Sequence, residues 1–324
     1  MYRILIKRIS FLAISKGIER LSILAIHIGL SYILSRTYYG TFRQVLLIVN
    51  LLVPFFTLSL PMSIYYFFPT IKDKEKSSLI YGTILLLFVG GVILMFLLLG
   101  LKNFFGERFH NPILPSLLKI YALYGIIGVT ISYYDALLVV LKKEKLLAVI
   151  TIIFSIMMSI GAIFGAVLTK SVKFILQILL YLNALRLIIY ILHTFNIIKP
   201  EKISSTLLKK ELNYSLPIFL TSICDVATLH VDKIIVSIFF SAQIYAIYVN
   251  GAFEIPFLAI LWGSIAQVLI PEFASLWQAR KKTRIIELWK NFITKVSIII
   301  FPAFVFLFIF AKPFMITLFP KNIL

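Results

Sequence analysis

The sequence predicts an all-α polytopic membrane protein with about nine transmembrane helices. Of its 324 residues, 61% are hydrophobic and only 14% are charged, and the mean hydropathy of +1.02 lies far above the range of soluble proteins. The apolar stretches reach about 20 residues or more, which is the length a helix needs to cross ~30 Å of hydrocarbon. Barrel strands would instead appear as short segments of alternating hydrophobicity.

Nine apolar segments cover most of the chain, and each is predicted to cross the membrane once. They are 9–35, 42–69, 78–101, 113–141, 146–169, 172–195, 213–240, 244–270 and 287–311. The first follows a basic stretch, as the core of a signal peptide does. It is too long for that role and is interrupted by Lys16, Glu19 and Arg20, so we expect it to remain as the first span.

The basic residues predict the orientation of the chain. Eighteen Lys and Arg lie at the N-terminus and in the even-numbered loops, and eight lie in the odd-numbered loops and at the C-terminal end. The positive-inside rule therefore places the N-terminus in the cytoplasm. The same distribution, together with attraction to anionic membrane lipids, accounts for the net charge of +19 without nucleic acid as a partner.

A polar connection and a weak internal repeat predict two lobes. Residues 1–195 form a six-helix N-terminal lobe, 196–212 a cytoplasmic linker, and 213–324 a partial C-terminal lobe. The repeat pairs LSRTYYGTFRQ (34–44) with FSAQIYAIYVN (240–250), and a proline-bearing span follows each copy. Chance similarity of two apolar stretches is the alternative, but repeated bundles around a midplane site are typical of transporters.

Charged residues inside the spans are the candidates for a transport site. Arg186 lies thirteen residues from Lys173 and from Lys199, which places it near the bilayer centre. A charge there costs at least about 2.5 kcal/mol, so it requires a wet cavity or a partner. With Asn183 one turn earlier, Arg186 is suited to bind a diphosphate. A buried pair with Asp135 is the structural alternative.

The first span adds further basic groups to this predicted cationic cavity. Lys16 and Arg20 are one helical turn apart on the same stripe. Arg20 lies too deep to reach the interface, whereas Lys16 has snorkelling to the cytoplasmic side as an alternative. We therefore predict Arg20, Arg186, Lys16 and Asn183 as substrate-binding residues.

Carboxylates in the second lobe are candidates for ion coupling. Asp225 and Asp232 share one polar stripe of the seventh span, and Glu254 lies at the depth of Asp232 in the eighth span. These groups could bind a coupling cation, Na+ or H+. A structural salt bridge with Lys233 is the alternative, equally weighted. No metal-ligand spacing, phosphate-binding glycine loop or catalytic carboxylate pair in a loop is present, so neither an enzyme nor a cofactor is predicted.

Three stretches carry a family resemblance. They are ILSRTYYGTFRQVLLIVNLLVPFFTLSLPMSIYYFFP (33–69), HVDKIIVSIFFSAQIYAIYVNGAFEIPFLAI (230–260) and VLIPEFASLWQARKK (268–282). In order and spacing the chain resembles the bacterial polysaccharide flippases of the MATE-like multidrug/oligosaccharidyl-lipid/polysaccharide superfamily. The resemblance implies two six-helix lobes that move undecaprenyl-diphosphate-linked oligosaccharides outward across the bacterial inner membrane for O-antigen, capsule or exopolysaccharide synthesis. It also implies other polysaccharide assembly proteins as partners.

The chain departs from that family at its end, and two other functions stay open. It stops after Pro320-Lys321-Asn322, a stretch that resembles the family segment before the tenth helix, so half of the second lobe is expected to be missing. The first alternative is a multidrug or metabolite cation antiporter, whose first-lobe cavity should be net acidic. The deep charges here, Glu19, Arg20 and Arg186, are net +1. The second alternative is a non-transporting membrane scaffold.

Overall fold

The computed structural model describes residues 2–252, 276 and 280–320, and all regular secondary structure in these residues is helical. The helices are α1 (Tyr2–Ile33), α2 (Arg36–Thr57), α3 (Leu60–Phe67), α4 (Asp73–Arg108), α5 (Leu114–Tyr121), α6 (Leu123–Thr130), α7 (Tyr133–Val140), α8 (Glu144–Thr169), α9 (Val172–Ile197), α10 (Ser205–Phe239), α11 (Ala242–Gly251) and α12 (Lys282–Leu318).

Six helical segments among the described residues are long and apolar enough to cross a membrane. They are α2, α4, the combined segment Leu123–Val140 formed by α6 and α7, α8, α9 and α12. This confirms the prediction of an all-helical polytopic membrane fold. The count of nine spans stays a prediction.

Two segments predicted as continuous spans are broken. In the segment 42–69, Leu58 and Ser59 both have left-handed backbone angles, with φ of 48° and 52°, and separate α2 from α3. Pro61 lies in the first turn of α3, where its missing N–H would have no helical acceptor. The segment 113–141 divides into α5, α6 and α7. The hydrophobicity of a segment predicts the length of a membrane span, but it does not predict where the helix within that span is broken.

The helix α10 packs against the N-terminal helices along its whole length. Near its end, Gln44 Nε2 of α2 donates to Ser237 Oγ at 2.9 Å. Farther back, the Ser59 and Ser222 hydroxyls are 3.2 Å apart. Residues 2–250 accordingly form one compact unit, and the non-helical connection before α10 covers only residues 198–204. This connection is fixed to α4, since Ser77 Oγ donates to the Lys199 carbonyl at 2.6 Å.

The two copies of the predicted repeat begin with the same local structure. A long helix ends, and after a short break Ser35 or Ser241 precedes the next helix. The Ser35 carbonyl accepts from Tyr39 N at 2.8 Å, and the Ser241 carbonyl accepts from Tyr245 N at 2.9 Å. The internal repeat stays a prediction, because a helix that starts after a serine is a common local structure.

The second compact unit begins at Gly251, and its described helix is α12. Phe310 interrupts its helical geometry with φ of −104° and ψ of 16°. Pro313 lies three residues later and cannot donate to the preceding turn, which explains the kink. Glu254, predicted as an ion-coupling residue, lies outside the described residues.

Gly40 is where α2 comes closest to the start of α11, and it gives a direct test of this packing. A Cβ atom at Gly40 would overlap the Ala242 carbonyl oxygen and lie 2.7 Å from its carbon. Gly40→Leu should therefore destabilise the fold by about 1–3 kcal/mol or more through overpacking. The measurement is the melting temperature of the purified protein in detergent.

Gly100 provides the matched control for that substitution. A Cβ there meets nothing within 4 Å, and the residue lies inside α4. Gly100→Leu should leave the melting temperature unchanged or raise it slightly, because leucine favours a helix more than glycine does. Equal losses in both variants would contradict the close approach at Gly40.

Candidate functional site

A cavity of about 230 Å³ lies among α1, α2, α5, α6, α8 and α9. Its wall is mostly apolar, and the polar residues that line it come from six helices. These are Glu19, Ser22, His27, Asn50, Tyr121, Tyr124, Ser155, Asn183 and Arg186. An apolar pocket with a few convergent polar groups is the usual form of a small-molecule site.

Arg186 presents a guanidinium group at this cavity. Its Nε donates to the Tyr190 hydroxyl at 2.6 Å, and its Cζ lies 5.2 Å from the centre of the Tyr190 ring and 5.9 Å from that of Phe154. Among the described residues, it forms no ion pair with a carboxylate, and its Nη groups make no hydrogen bond. The aromatic rings therefore hold the cation in place while two donor nitrogens remain available to a ligand.

Stacked side chains fix the position of Tyr190, which is the hydrogen-bond partner of Arg186. Tyr190 is fully buried and stacks on Tyr134 of α7, with ring centres 3.6 Å apart. The Tyr134 hydroxyl in turn lies 2.7 Å from Nδ1 of His193. The sequence shows Tyr190 one turn after Arg186, but no sequence signal pairs Tyr134 with it. Only the packing of α7 against α9 does so.

Lys16 links α1 to α7. Its Nζ donates to Glu19 Oε2 at 3.0 Å and to Asp135 Oδ2 at 2.9 Å. Asp135 was the alternative partner expected for Arg186, and the structure pairs it with Lys16. The ammonium group therefore compensates two carboxylates in a region where unpaired charge is costly.

The predicted substrate-binding residues are brought together only in part. Asn183 and Arg186 line the cavity, and Asn183 also donates its amide to the Leu179 carbonyl at 2.8 Å. Lys16 and Arg20 are exposed and are not among the lining residues, whereas Glu19 is. The charged lining in this conformation is thus one arginine and one glutamate, which is formally neutral.

The described candidates for ion coupling lie on α10. Asp225 is exposed and has no hydrogen bond or ion pair within the described residues. Asp232 Oδ2 accepts from the Tyr248 hydroxyl of α11 at 2.8 Å, and Lys233 Nζ lies 3.7 Å from Oδ1. Because Lys233 and Asp232 are neighbours in one helix, this ion pair does not join two helices. The Tyr248 hydrogen bond does.

The double pairing of Lys16 predicts a stability effect. Lys16→Met should lower the melting temperature because Glu19 and Asp135 lose their shared cation. The triple variant Lys16→Met, Glu19→Gln and Asp135→Asn should regain most of the lost melting temperature, because none of the three side chains is then left as an unpaired charge. The measurement is thermal unfolding in detergent. Lys119→Met removes an exposed lysine from α5 and serves as the control, with no change expected.

Comparison with known proteins gives a family and a fold. The family described as polysaccharide biosynthesis protein matches residues 30–322. A solved structure described as the inward-facing conformation of a multidrug resistance MATE family transporter of the MOP superfamily superposes with a TM-score of 0.68 at 14% identity, covering 93% of this chain and 72% of that chain. No curated protein matches the sequence significantly. The chain therefore belongs to the polysaccharide biosynthesis protein family and has the fold of a MATE-like transporter.

Proposed function

We propose that this protein is a flippase that moves undecaprenyl-diphosphate-linked oligosaccharide repeat units across the bacterial inner membrane. Its family supports a role in polysaccharide synthesis, and its fold supports a membrane transporter. The observation that carries the choice of an anionic substrate is Arg186, a guanidinium at a cavity with no carboxylate bound to it among the described residues. The surface polysaccharide assembled from these repeat units would be O-antigen, capsule or exopolysaccharide.

Arg186 suits the diphosphate of such a substrate for a geometric reason. A guanidinium binds two phosphate oxygens side by side, and here Nε is already fixed by Tyr190, which leaves the Nη edge for the ligand. Asn183 lies one turn away on the same cavity wall. Lys16 and Arg20 are outside the lining in this conformation, and they would contact the anion at another stage of the cycle.

The contact of α2 with α10 and α11 supports alternating access. Gly40, Gln44 and Tyr39 of α2 all meet residues of the second lobe in this conformation. With the N-terminus in the cytoplasm, as the basic loops predict, this contact closes the outward side. The similar solved structure is also described as inward-facing. Opening this contact would then be the step that releases the lipid-linked saccharide outward.

The Arg186→Ala protein, expressed in a bacterial strain that lacks its own flippase, should restore little or no surface polysaccharide, whereas the parent protein should restore it. The reason is the loss of the cation that holds the diphosphate. Arg186→Lys should retain only partial activity, because an ammonium does not bind two oxygens side by side. The measurement is surface polysaccharide per cell at equal protein level.

Arg284→Ala is the matched control, because Arg284 is exposed and pairs with Glu287 one turn away on α12. It should support full polysaccharide synthesis.

A binding experiment tests the same role of Arg186. Purified protein in nanodiscs should bind undecaprenyl-diphosphate-linked sugar but not undecaprenol, and Arg186→Ala should lose this difference in affinity. Full activity of Arg186→Ala would refute the anion-binding role.

Asp225, Asp232 and Glu254 are the proposed ion-coupling residues. At Asp232, a coupling role can be distinguished by experiment from a purely structural role. Asp232→Asn should remove the dependence of transport on an imposed Na+ or H+ gradient in proteoliposomes. Tyr248→Phe removes the hydrogen bond to Asp232 but keeps its charge, so gradient dependence should persist. If both variants behave alike, Asp232 only holds α10 and α11 together.

A multidrug or metabolite cation antiporter is the second candidate function, and Glu19 in the cavity lining favours it. It predicts drug resistance in a sensitive strain and loss of that resistance in Glu19→Gln. A non-transporting scaffold predicts neither polysaccharide transport nor drug resistance.

A further inference from the structure

Glu211 of α10 is a fully buried carboxyl group that belongs neither to the Arg186 cavity nor to the proposed ion-coupling residues. It lies where α10 packs against α3 and α4. Its Oε2 is 2.6 Å from Thr83 Oγ1 of α4. Its Oε1 is buried and has no hydrogen-bond partner in the described part of the chain.

The space around the carboxyl group is created by small residues. A Cβ at Gly82 would lie 3.3 Å from Glu211 Oε1, so the glycine leaves room for this oxygen. Ser215, one turn later on the same face of α10, is also fully buried, and its hydroxyl likewise has no partner among the described residues. Among the described residues, the side-chain hydrogen-bond partner of this carboxyl group is thus a hydroxyl, that of Thr83.

Counting protons on these hydroxyls indicates which form of the carboxyl fits. A hydroxyl carries a single proton. Thr83 Oγ1 lies 2.9 Å from the Leu79 carbonyl as well as 2.6 Å from Glu211 Oε2. If its proton serves the carbonyl, the short contact to Glu211 takes its proton from the carboxyl group. If its proton serves Oε2, Oε1 is still buried without a partner among the described residues. A carboxylate therefore leaves part of its charge unpaired in either case, whereas a neutral carboxyl carries no charge.

In the part of the chain that the structure describes, no basic group forms an ion pair with Glu211. The elements packed around Glu211 and the chain before them carry the following titratable side chains: Arg36, Tyr38, Tyr39 and Arg43 of α2; Tyr65 and Tyr66 of α3; Lys72 before α4; Asp73, Lys74, Glu75, Lys76, Tyr81, Lys102, Glu107 and Arg108 of α4; Lys199, Glu201 and Lys202 before α10; and Lys209, Lys210, Tyr214, Cys224, Asp225, His230, Asp232 and Lys233 of α10. None forms a hydrogen bond or ion pair with Glu211 within the described residues. A carboxylate there would be a buried, unpaired charge, which is strongly disfavoured.

We propose that Glu211 is a proton-binding site that controls the contact of α10 with α3 and α4. With the proton bound, the carboxyl is neutral and the contact is closed. When the proton leaves to water, the carboxylate cannot remain in this pocket, so the start of α10 separates from α3 and α4 and water enters. Closure is therefore favoured at low pH and is lost as the pH rises. This site is separate from the Arg186 cavity and requires no particular substrate.

Spin labels across the contact test this proposal without any substrate. Thr70, after α3, and Thr206, in the first turn of α10, are exposed and uncharged, and Cys224 is the only cysteine. In a Cys224→Ser background, the protein labelled at Thr70→Cys and Thr206→Cys is reconstituted in nanodiscs. The interlabel distance is measured by electron paramagnetic resonance between about pH 5 and pH 9, a window around the neutral range in which buried carboxyls can titrate.

The expected result is a short distance at low pH that shifts to a longer one as the pH rises. Glu211→Gln, which stays neutral, should keep the short distance at every pH. Glu201→Gln is the matched control, because it removes an exposed carboxylate close to the start of α10 and should follow the parent protein. Glu211→Asp keeps a titratable group and should retain a pH-dependent shift, which guards against a defect specific to the glutamine variant.

Three results would overturn the proposal: a distance in the parent protein that does not change with pH, a Glu211→Gln variant that still follows the parent, or a Glu201→Gln variant that loses the shift. Because the measurement uses no lipid-linked saccharide, its outcome is independent of the proposed flippase activity. Failure of the Arg186 experiments would leave this result standing, and the reverse also holds.

Discussion

The close packing of α2 against α10 and α11 is the constraint on which the arrangement of residues 2–250 depends. At Gly40 the backbone of α2 approaches the Ala242 carbonyl so closely that no side chain fits between them. Buried polar pairs then fix the register of these helices, with Tyr39 donating to Asn250 at 2.6 Å and Gln44 to Ser237 at 2.9 Å. Asn111 completes this layer by donating to Gln44 Oε1 at 2.7 Å. In an apolar environment each of these groups needs its partner.

Charge compensation inside the bundle follows the same physical rule, and Lys16 and Arg186 satisfy it in different ways in this conformation. Lys16 is paired with two carboxylates, which makes it a link between α1 and α7. Arg186 is held by aromatic rings and one hydroxyl instead. An ion pair would neutralise the guanidinium, whereas rings position it and leave its charge available. This difference is the physical basis for assigning the anion to Arg186.

The burial of Glu211 is a feature that the sequence does not predict. It lies two residues before the predicted seventh span, in a stretch where a carboxylate beside Lys209 and Lys210 reads as an ordinary interfacial residue. Its burial arises because Gly82 and Thr83 of α4 lie against it. The polar stripe that sequence analysis does detect, with Asp225 and Asp232, is by contrast exposed or only partly covered in this conformation.

The sequence by itself determined the class of the protein, because membrane insertion depends on the length and hydrophobicity of local segments. It also identified Arg186 as an intramembrane charge and predicted an internal repeat, in which a serine precedes a helix in each copy. Only the tertiary structure decided which charges meet. It paired Asp135 with Lys16, left Arg20 outside the cavity lining, and broke the spans at Leu58 and after Tyr121. These outcomes depend on contacts between helices far apart in the chain, and local hydrophobicity carries no information about such contacts.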